Sequence, residues 1–276
     1  MKLHFLFAAL VAALLLSSCY EPVKGCLDIE ATNFDASADN DCCCKYPQLV
    51  LSIDNAYDTL VWKPDTAYQN NLGQWFRIRN IVFYLSDISL TQNGTALQVS
   101  DTVNLFHYPS PTSGDTVQSS YTDDFLLVRR VPTTRYEVGT FRASGNFQQV
   151  KMRFGVNDDA QLVVPNKAPA GHPLANQGEN LYRDRDTAYV FARVLFNRDT
   201  SAGSPTDTLL LNRFDVGAFF IVQNGVFFHE SGYDFNLRLR ADWKTLFNDV
   251  DMTNGDNTAT KAQMVNNLPA VFNIYQ

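Results

Sequence analysis

The feature that most constrains the fold is one segment, FRIRNIVFYLSDISL, which runs from Phe76 to Leu90. It begins with apolar residues alternating with arginines and is apolar at every position from Ile81 to Leu85. Successive side chains of a β-strand point to opposite faces, so this pattern indicates a strand that is half-buried at its ends and buried on both faces in its middle. The segment predicts the long central strand of a sandwich.

The rest of the sequence after Tyr46 consists of shorter segments of the same kind, separated by Gly, Pro, Asn and Asp. Asp242 predicts a short capped helix over 243–247, and Thr260–Asn267 predicts another. We therefore predict an all-β fold, an antiparallel two-sheet β-sandwich with one or two short helices. The other predicted strands are Gln48–Asp54, Thr95–Phe106, Phe125–Val131, Tyr136–Phe141, Val150–Val156, Tyr189–Phe196, Leu209–Leu211, Ala218–Val222 and Tyr233–Ala241.

The central strand also carries a family resemblance. The run from Phe83 to Leu90, the turn at Gly94 and the strand through Val103 and Leu105 resemble the signature strand and hairpin of the MbnP-like family. These are extracytoplasmic β-sandwich proteins named for a copper-binding member encoded beside methanobactin genes. The resemblance extends, with gaps, from about Leu49 to the C-terminus, which implies a single domain over 47–276.

The N-terminus reads as a targeting segment. Lys2 is followed by an apolar run from Phe5 to Leu16 that is too short for a permanent membrane span, and then by small residues before Cys19. This pattern resembles a bacterial lipobox, so residues 1–18 are predicted to be a lipoprotein signal peptide and Cys19 to carry the lipid. The alternative is an ordinary secretory signal. Either one places the protein outside the cytoplasm, and the lipobox favours the outer membrane or cell surface.

Residues 19–46 are predicted to form a spacer rich in cysteine and aspartate. In an oxidising compartment its four cysteines favour disulfides, and Cys26 bonded to one of the other three is expected because adjacent cysteines bridge poorly. The segment resembles a short module of secreted proteins in Bacteroidetes-like bacteria, and its oxygen-bearing side chains suit calcium; a solvated spacer is the alternative. The cysteines are Cys26, Cys42, Cys43 and Cys44, and the candidate calcium ligands are Asp28, Asn33, Asp35, Asp39 and Asp41.

Charge and motifs narrow the functional class. The chain has 29 acidic and 22 basic residues, and no basic stripe that nucleic-acid binding would need. It lacks the nucleophile elbow, the P-loop and the dinucleotide fingerprint, and the run that begins at His229-Glu230 has Tyr233 where a zinc protease needs histidine. We therefore expect a non-catalytic protein. The longest irregular segment, 157–186, is where we expect a binding site.

Copper binding has candidate ligands in the three histidines that follow the signal peptide: His107, His172 and His229. Imidazole suits copper, and all three lie in or near predicted loops that could meet at one end of the sandwich; scattered surface histidines are the alternative. The resemblance implies copper as a cofactor and, in some relatives, a di-haem MauG-like peroxidase partner that oxidises a tryptophan. This chain departs from that pattern, because its first strand has no histidine and none of its tryptophans, Trp62, Trp75 and Trp243, stands at the family's position.

An Asp-Thr pair followed by Ala, Val or Leu recurs six times. It is similar to the O-glycosylation signal of exported Bacteroidetes proteins, although Asp ending a turn and Thr beginning a strand explains it equally well. The six candidate threonines are Thr59, Thr66, Thr102, Thr116, Thr187 and Thr208.

Taken together, the sequence predicts a lipid-anchored, extracytoplasmic protein of MbnP-like type that binds copper or another ligand, with a di-haem peroxidase as a partner. The alternative is a structural or adhesive cell-surface module without a functional metal site.

Overall fold

The computed structural model describes residues 20–130, 134–176 and 178–276. The predicted signal peptide 1–18 and the predicted lipidation site Cys19 lie outside the described residues. Among the described residues, none of the helices combines the length and the hydropathy of a membrane span.

Strands are the predominant secondary structure, as predicted. They are β1 (Lys24–Gly25), β2 (Asn40–Asp41), β3 (Gln48–Tyr57), β4 (Leu60–Val61), β5 (Ala67–Gln69), β6 (Trp75–Gln92), β7 (Thr95–Leu97), β8 (Thr102–His107), β9 (Val117–Thr122), β10 (Leu126–Val128), β11 (Arg135–Thr140), β12 (Gly145–Phe154), β13 (Val190–Asn197), β14 (Asp207–Asn212), β15 (Phe220–His229), β16 (Phe235–Asp242) and β17 (Phe272–Tyr275). The helices are α1 (Arg213–Val216), α2 (Trp243–Leu246) and α3 (Asn257–Val271), with a 3-10 turn at Pro165–Lys167.

Two sheets form the sandwich. The large sheet has eight strands in the order β14-β13-β6-β12-β15, with β5, β7 and β10 also paired to β6. The small sheet has the order β11-β3-β16-β17, with β4 paired to β3. The central position of β6, 18 residues long, confirms the prediction for the signature segment.

The core lies between the two sheets and is largely aromatic. Phe147 of the large sheet packs on Phe235 of the small sheet with ring centroids 5.5 Å apart, and Phe83 lies 5.7 Å from Phe272. Each fully buried side chain of this size contributes about 1.5–3 kcal/mol. The alternating apolar residues of the sequence therefore face each other across the sandwich.

Two details differ from the prediction. β3 and β16 pair in parallel, from Leu49 opposite Phe235 to Ala56 opposite Asp242, so the small sheet is mixed rather than purely antiparallel. The strand predicted over Thr95–Phe106 breaks at Ser100, whose backbone N–H donates to the carbonyl of Thr140, and β8 then pairs with β9 in a separate hairpin.

The helix predictions are confirmed. The Asp242 carboxylate accepts from the backbone N–H of Lys244 at the start of α2. Helix α3 contains the predicted 260–267 segment but begins earlier, where the Asp256 side chain accepts from the N–H of Thr258. An N-terminal side-chain cap of this kind contributes about 1 kcal/mol.

The spacer folds on itself and against the sandwich. β1 pairs in parallel with β2, and a disulfide joins Cys26 to Cys44, as expected for Cys26 and one of the later cysteines. Cys42 and Cys43 are free. The Arg142 guanidinium bonds Asp28 of the spacer at 2.8 Å, which ties the spacer to the loop between β11 and β12.

Candidate functional site

The predicted site-bearing loop is held by two buried tyrosines of the core, one on β6 and one directly before β13. The hydroxyl of Tyr84, on β6, donates to the carbonyl of Pro173 at 3.1 Å, and the hydroxyl of Tyr189 donates to the carbonyl of Leu174 at 2.7 Å. Burial raises the pKa of both phenols, so they stay protonated and remain donors. His172, one residue before this clamp, is therefore held in a defined position.

The His172 ring faces a carboxylate. Its Nε2 lies 3.2 Å from Oδ1 of Asp123, and its Nδ1 accepts from the backbone N–H of Leu174 at 3.1 Å. The bond at Nδ1 leaves Nε2 as the nitrogen directed at Asp123. The His172 side chain is buried, whereas Asp123 is about one-third exposed, so the pair is reached from the carboxylate side.

Asp123 and His172 line a cleft of about 490 Å³ between β10, β11 and the 171–173 turn; we call it the His172 cleft. Its volume falls within the usual range for small-ligand sites. Three carboxylate residues line it, Asp101, Asp123 and Glu137, against one guanidinium, Arg129. The lining therefore favours a cation over an anion.

Arg129 closes one side of this cleft and fixes the far part of the loop. Its Nη2 donates to Oε2 of Glu179 at 2.9 Å, and its Nε donates to the other carboxylate oxygen. This bidentate hydrogen bonding by Arg129 holds the pKa of Glu179 below its ordinary value. The carbonyl of Glu179 also accepts from Arg193 of β13 at 2.7 Å. The loop is thus anchored on both sides of the cleft.

The other two histidines lie elsewhere. His229, predicted between two strands, ends β15 and is buried, and its ring nitrogens each lie 2.6 Å from a backbone carbonyl, those of Ala143 and Tyr233. Neither nitrogen can offer a lone pair to a metal in this arrangement. His107 ends β8, packs edge-on against Tyr121, and has a buried Nδ1 without a hydrogen-bond partner.

The three histidines therefore do not meet at one end of the sandwich, and they do not form a shared copper centre. In the described part of the chain, the only group of three His, Cys, Asp or Glu donors close enough to share an ion is Cys26, Asp41 and Cys44. Two of these donors are the sulfurs of the disulfide, which are not thiolates, so the group does not suit copper either. Among the described residues, the His172–Asp123 pair is the one that combines an imidazole nitrogen with a carboxylate at an open cleft.

The predicted calcium ligands each accept a hydrogen bond within the spacer or from the adjoining loop. Of the four described aspartates among them, only Asp41 belongs to a group of three His, Cys, Asp or Glu donors, and that group is the one at the disulfide. The donors to their side-chain oxygens include the Arg142 guanidinium and five backbone N–H groups. The Arg142 guanidinium and the N–H of Glu30 donate to Asp28, and the N–H groups of Lys45, Ser37, Val23 and Leu27 donate to Asn33, Asp35, Asp39 and Asp41 in that order.

The candidate glycosylation threonines lie at strand edges, as both of their interpretations require. Four are exposed, Thr59, Thr66, Thr102 and Thr208; Thr116 and Thr187 are partly buried. The Thr116 hydroxyl accepts from Lys167 at 2.8 Å, which makes it less available than the exposed four. Glycosylation stays a prediction.

Sequence reasoning did not identify Asp123 as the partner of His172. Asp123 and Asp124 were not singled out, because acidic residues before a strand are ordinary turn formers. The available signal was their position directly before the apolar strand Leu126–Val128.

Comparisons with known proteins address the family. The sequence model of the MbnP family matches residues 46–265. Among solved structures, MbnP from Methylosinus trichosporium is similar, with 11% sequence identity, a TM-score of 0.40, and coverage of 83% of this chain and 97% of that one. A comparison with curated protein sequences returned no significant match. Because the family model spans well over half of the sequence, the chain belongs to the MbnP family.

Proposed function

We propose that this protein is a non-catalytic binding protein that acts outside the cytoplasm and holds an exchangeable copper ion at the His172–Asp123 pair. The observation that carries the proposal is the 3.2 Å approach of Nε2 of His172 to Oδ1 of Asp123 at the edge of an acid-lined cleft. Nitrogen and carboxylate donors are a set that copper(II) accepts. Membership of the MbnP family, whose name derives from methanobactin-associated copper proteins, supports the choice of metal.

Two protein donors make a labile site rather than a resident metal centre. Copper at the pair would displace the hydrogen bond between His172 and Asp123, while the clamps from Tyr84 and Tyr189 would keep the loop in place. The bond from the N–H of Leu174 to Nδ1 fixes the imidazole orientation before copper binds. Copper at Nε2 would require the ring proton to move to Nδ1, and the Leu174 bond would then be broken as well. The protein's part is thus to position the donors and to let the ion exchange through the cleft.

The test is a competition titration of copper(II) against a chromophoric chelator, with Cys42 and Cys43 alkylated so that their thiols do not contribute. We expect one copper per chain and at least about tenfold weaker binding in His172→Gln, since the only imidazole donor is lost. His107→Gln is the matched control and should bind as the unmodified chain does. Near-ultraviolet circular dichroism should show that both variants are folded. Equal affinity in the two variants would contradict the assignment.

A second function, a structural or adhesive surface module, is favoured by the dispersal of the histidines. Both ring nitrogens of His229 are hydrogen-bonded to backbone carbonyls, and the His107 ring packs edge-on against Tyr121. Copper-free protein from the native host, together with no binding in the titration, would support this function over the first.

The di-haem peroxidase partnership is part of the same proposal, and side-chain exposure supports one tryptophan as its target. Trp62 and Trp243 are buried in the core, whereas Trp75, at the start of β6, is 55% exposed. We expect a mass increase confined to the Trp75 peptide after incubation with such a peroxidase and peroxide. An unchanged Trp75 peptide would remove the peroxidase from the proposal.

The predicted lipid anchor and surface location are tested separately. Metabolic labelling with a palmitate analogue should mark the unmodified chain but not Cys19→Ser. Labelling of both would exclude Cys19 as the lipidation site.

A further inference from the structure

A second cleft, of about 540 Å³, lies where the β3–β4 hairpin meets the edge of the small sheet. We call it the arginine cleft, because the side chains of Arg130, Arg238 and Arg240 line it together with Trp62. Asp54 is the only carboxylate residue of its lining. This local excess of positive charge contrasts with the formal net charge of the whole chain, which is −7.

Both oxygens of the one carboxylate in the lining, that of Asp54, already accept hydrogen bonds. Asp54 accepts from Nε and Nη2 of Arg238, at 3.0 and 2.9 Å, and also from the hydroxyl of Tyr275. The pair Asp54–Arg238 is therefore neutral as a unit and contributes little net field. The guanidinium groups of Arg130 and Arg240 are the two in the lining that this pair does not neutralise.

Neither remaining guanidinium has a carboxylate partner within the described residues. Arg240 donates to the backbone carbonyl of Asp58, while the Asp58 carboxylate is bonded to Lys244 at 2.7 Å. Arg130 is exposed and lies with its guanidinium carbon 6.0 Å from the centre of the Trp62 ring. Two cations thus face the cleft with donor hydrogens to spare.

The wall of the cleft contains a further donor without an acceptor. Trp62 is only 1% exposed, and its indole Nε1 has no hydrogen-bond partner. The neighbouring buried indole, Trp243, does find one, in Oδ1 of Asn55 at 3.1 Å. A buried N–H without an acceptor is uncommon in native proteins and costs stability unless something supplies the acceptor.

The rim of the cleft is apolar. Leu60 and Val61 form β4 and are 65% and 74% exposed. Two adjacent aliphatic side chains at a hairpin tip, next to unpaired arginines, offer apolar contact to one part of a ligand and charge to another.

We propose that the arginine cleft binds a small amphipathic anion, with a phosphate or carboxylate head on Arg130 and Arg240 and an apolar chain against Leu60 and Val61. An anion of this kind supplies oxygen acceptors for the unused donor hydrogens of Arg130 and Arg240. The site is separate from the His172 cleft and does not depend on copper.

The test uses isothermal titration of the full mature chain with octyl phosphate, inorganic phosphate and octyl glucoside. Octyl phosphate should bind one to one and more tightly than either of the other two, since only it has both head and chain. Arg130→Gln or Arg240→Gln should weaken it about tenfold or more, the value of a charge-assisted hydrogen bond. Leu60→Ser should weaken octyl phosphate but leave inorganic phosphate unchanged.

The matched control is Arg79→Gln, which removes the same charge from an exposed arginine outside the cleft that pairs with Asp65. It should leave octyl phosphate binding unchanged. An equal loss in Arg79→Gln and Arg130→Gln would overturn the proposal in favour of non-specific charge attraction, and so would no binding of octyl phosphate.

A parallel arm identifies the source of the anion. If the same arginine variants also reduce binding to phosphatidylcholine vesicles that contain phosphatidylglycerol, the head group belongs to a membrane lipid. If they affect octyl phosphate alone, the ligand is a soluble amphiphile. Copper titration of these variants should match the unmodified chain, which separates the outcome here from that at His172.

Discussion

The side chain of Asp124 is 1% exposed, next in sequence to the Asp123 of the candidate site. Its Oδ2 accepts from the backbone N–H of Ile88 at 2.7 Å, and its Oδ1 is buried without a hydrogen-bond partner. Burial, and secondarily the charge of nearby Asp87, raises the pKa of Asp124 to about 7. The carboxyl is therefore held in its protonated form where an ordinary aspartate is ionised.

The direction of the stability effect follows from proton linkage. Between about pH 4 and pH 7 the folded state keeps a proton on Asp124 that the unfolded state releases. The stabilisation from this group is therefore complete below about pH 4 and is lost as the pH rises through 7. The interval is about three pH units, and each corresponds to about 1.4 kcal/mol, so the full effect approaches 4 kcal/mol.

Replacing Asp124 by Asn removes the titration and keeps an oxygen that can accept from Ile88. We expect the free energy of unfolding of Asp124→Asn, relative to the unmodified chain, to rise with pH between about 4 and 7 and then to level off. Urea unfolding of both proteins at half-unit steps from pH 4.5 to 8.5 measures the difference. Other carboxylates titrate in both proteins and cancel. A difference that is constant over this range would refute the burial of an uncompensated carboxyl at this position.

Two further predictions concern the scaffold and the spacer. Gly155 has φ +108°, and a Cβ there would lie 2.3 Å from the ring of Phe191, so Gly155→Ala should lower the free energy of unfolding by more than about 3 kcal/mol. Gly94→Ala, at φ +80° in open space, should cost only about 1 kcal/mol, and similar costs for the two variants in denaturant unfolding would contradict this contrast. Alkylation without reduction should label Cys42 and Cys43, and mass spectrometry should find the two bonded cysteines labelled only after reduction; label on the latter beforehand would exclude the disulfide.

The sequence predicted those parts of the fold that depend on local pattern. The doubly apolar centre of Phe76–Leu90 indicated a strand covered on both faces, and β6 is that strand. Asp242 indicated a helix start through its capping oxygen. The parallel pairing of β3 with β16 could not be predicted in this way, because alternation shows which face a side chain occupies and not the direction of the neighbouring strand.

The candidate site was predicted only in part, for a related reason. The long loop and His172 were both singled out, because irregular length and imidazole chemistry are visible in the sequence. The pairing of His172 with Asp123 was not, since it depends on hydroxyl clamps from Tyr84 and Tyr189, which come from distant parts of the chain. The burial of His229 depends in the same way on carbonyls that the fold brings to its ring.

The location of copper itself is the most direct test of the proposed function. Crystals of the full mature chain soaked with copper(II) should give an anomalous difference peak at the copper absorption edge. We predict that the strongest peak lies between Nε2 of His172 and the carboxylate of Asp123. A strongest peak at the free cysteines, at His107 or at the chain terminus, or no peak at all, would contradict the assignment of the His172 cleft.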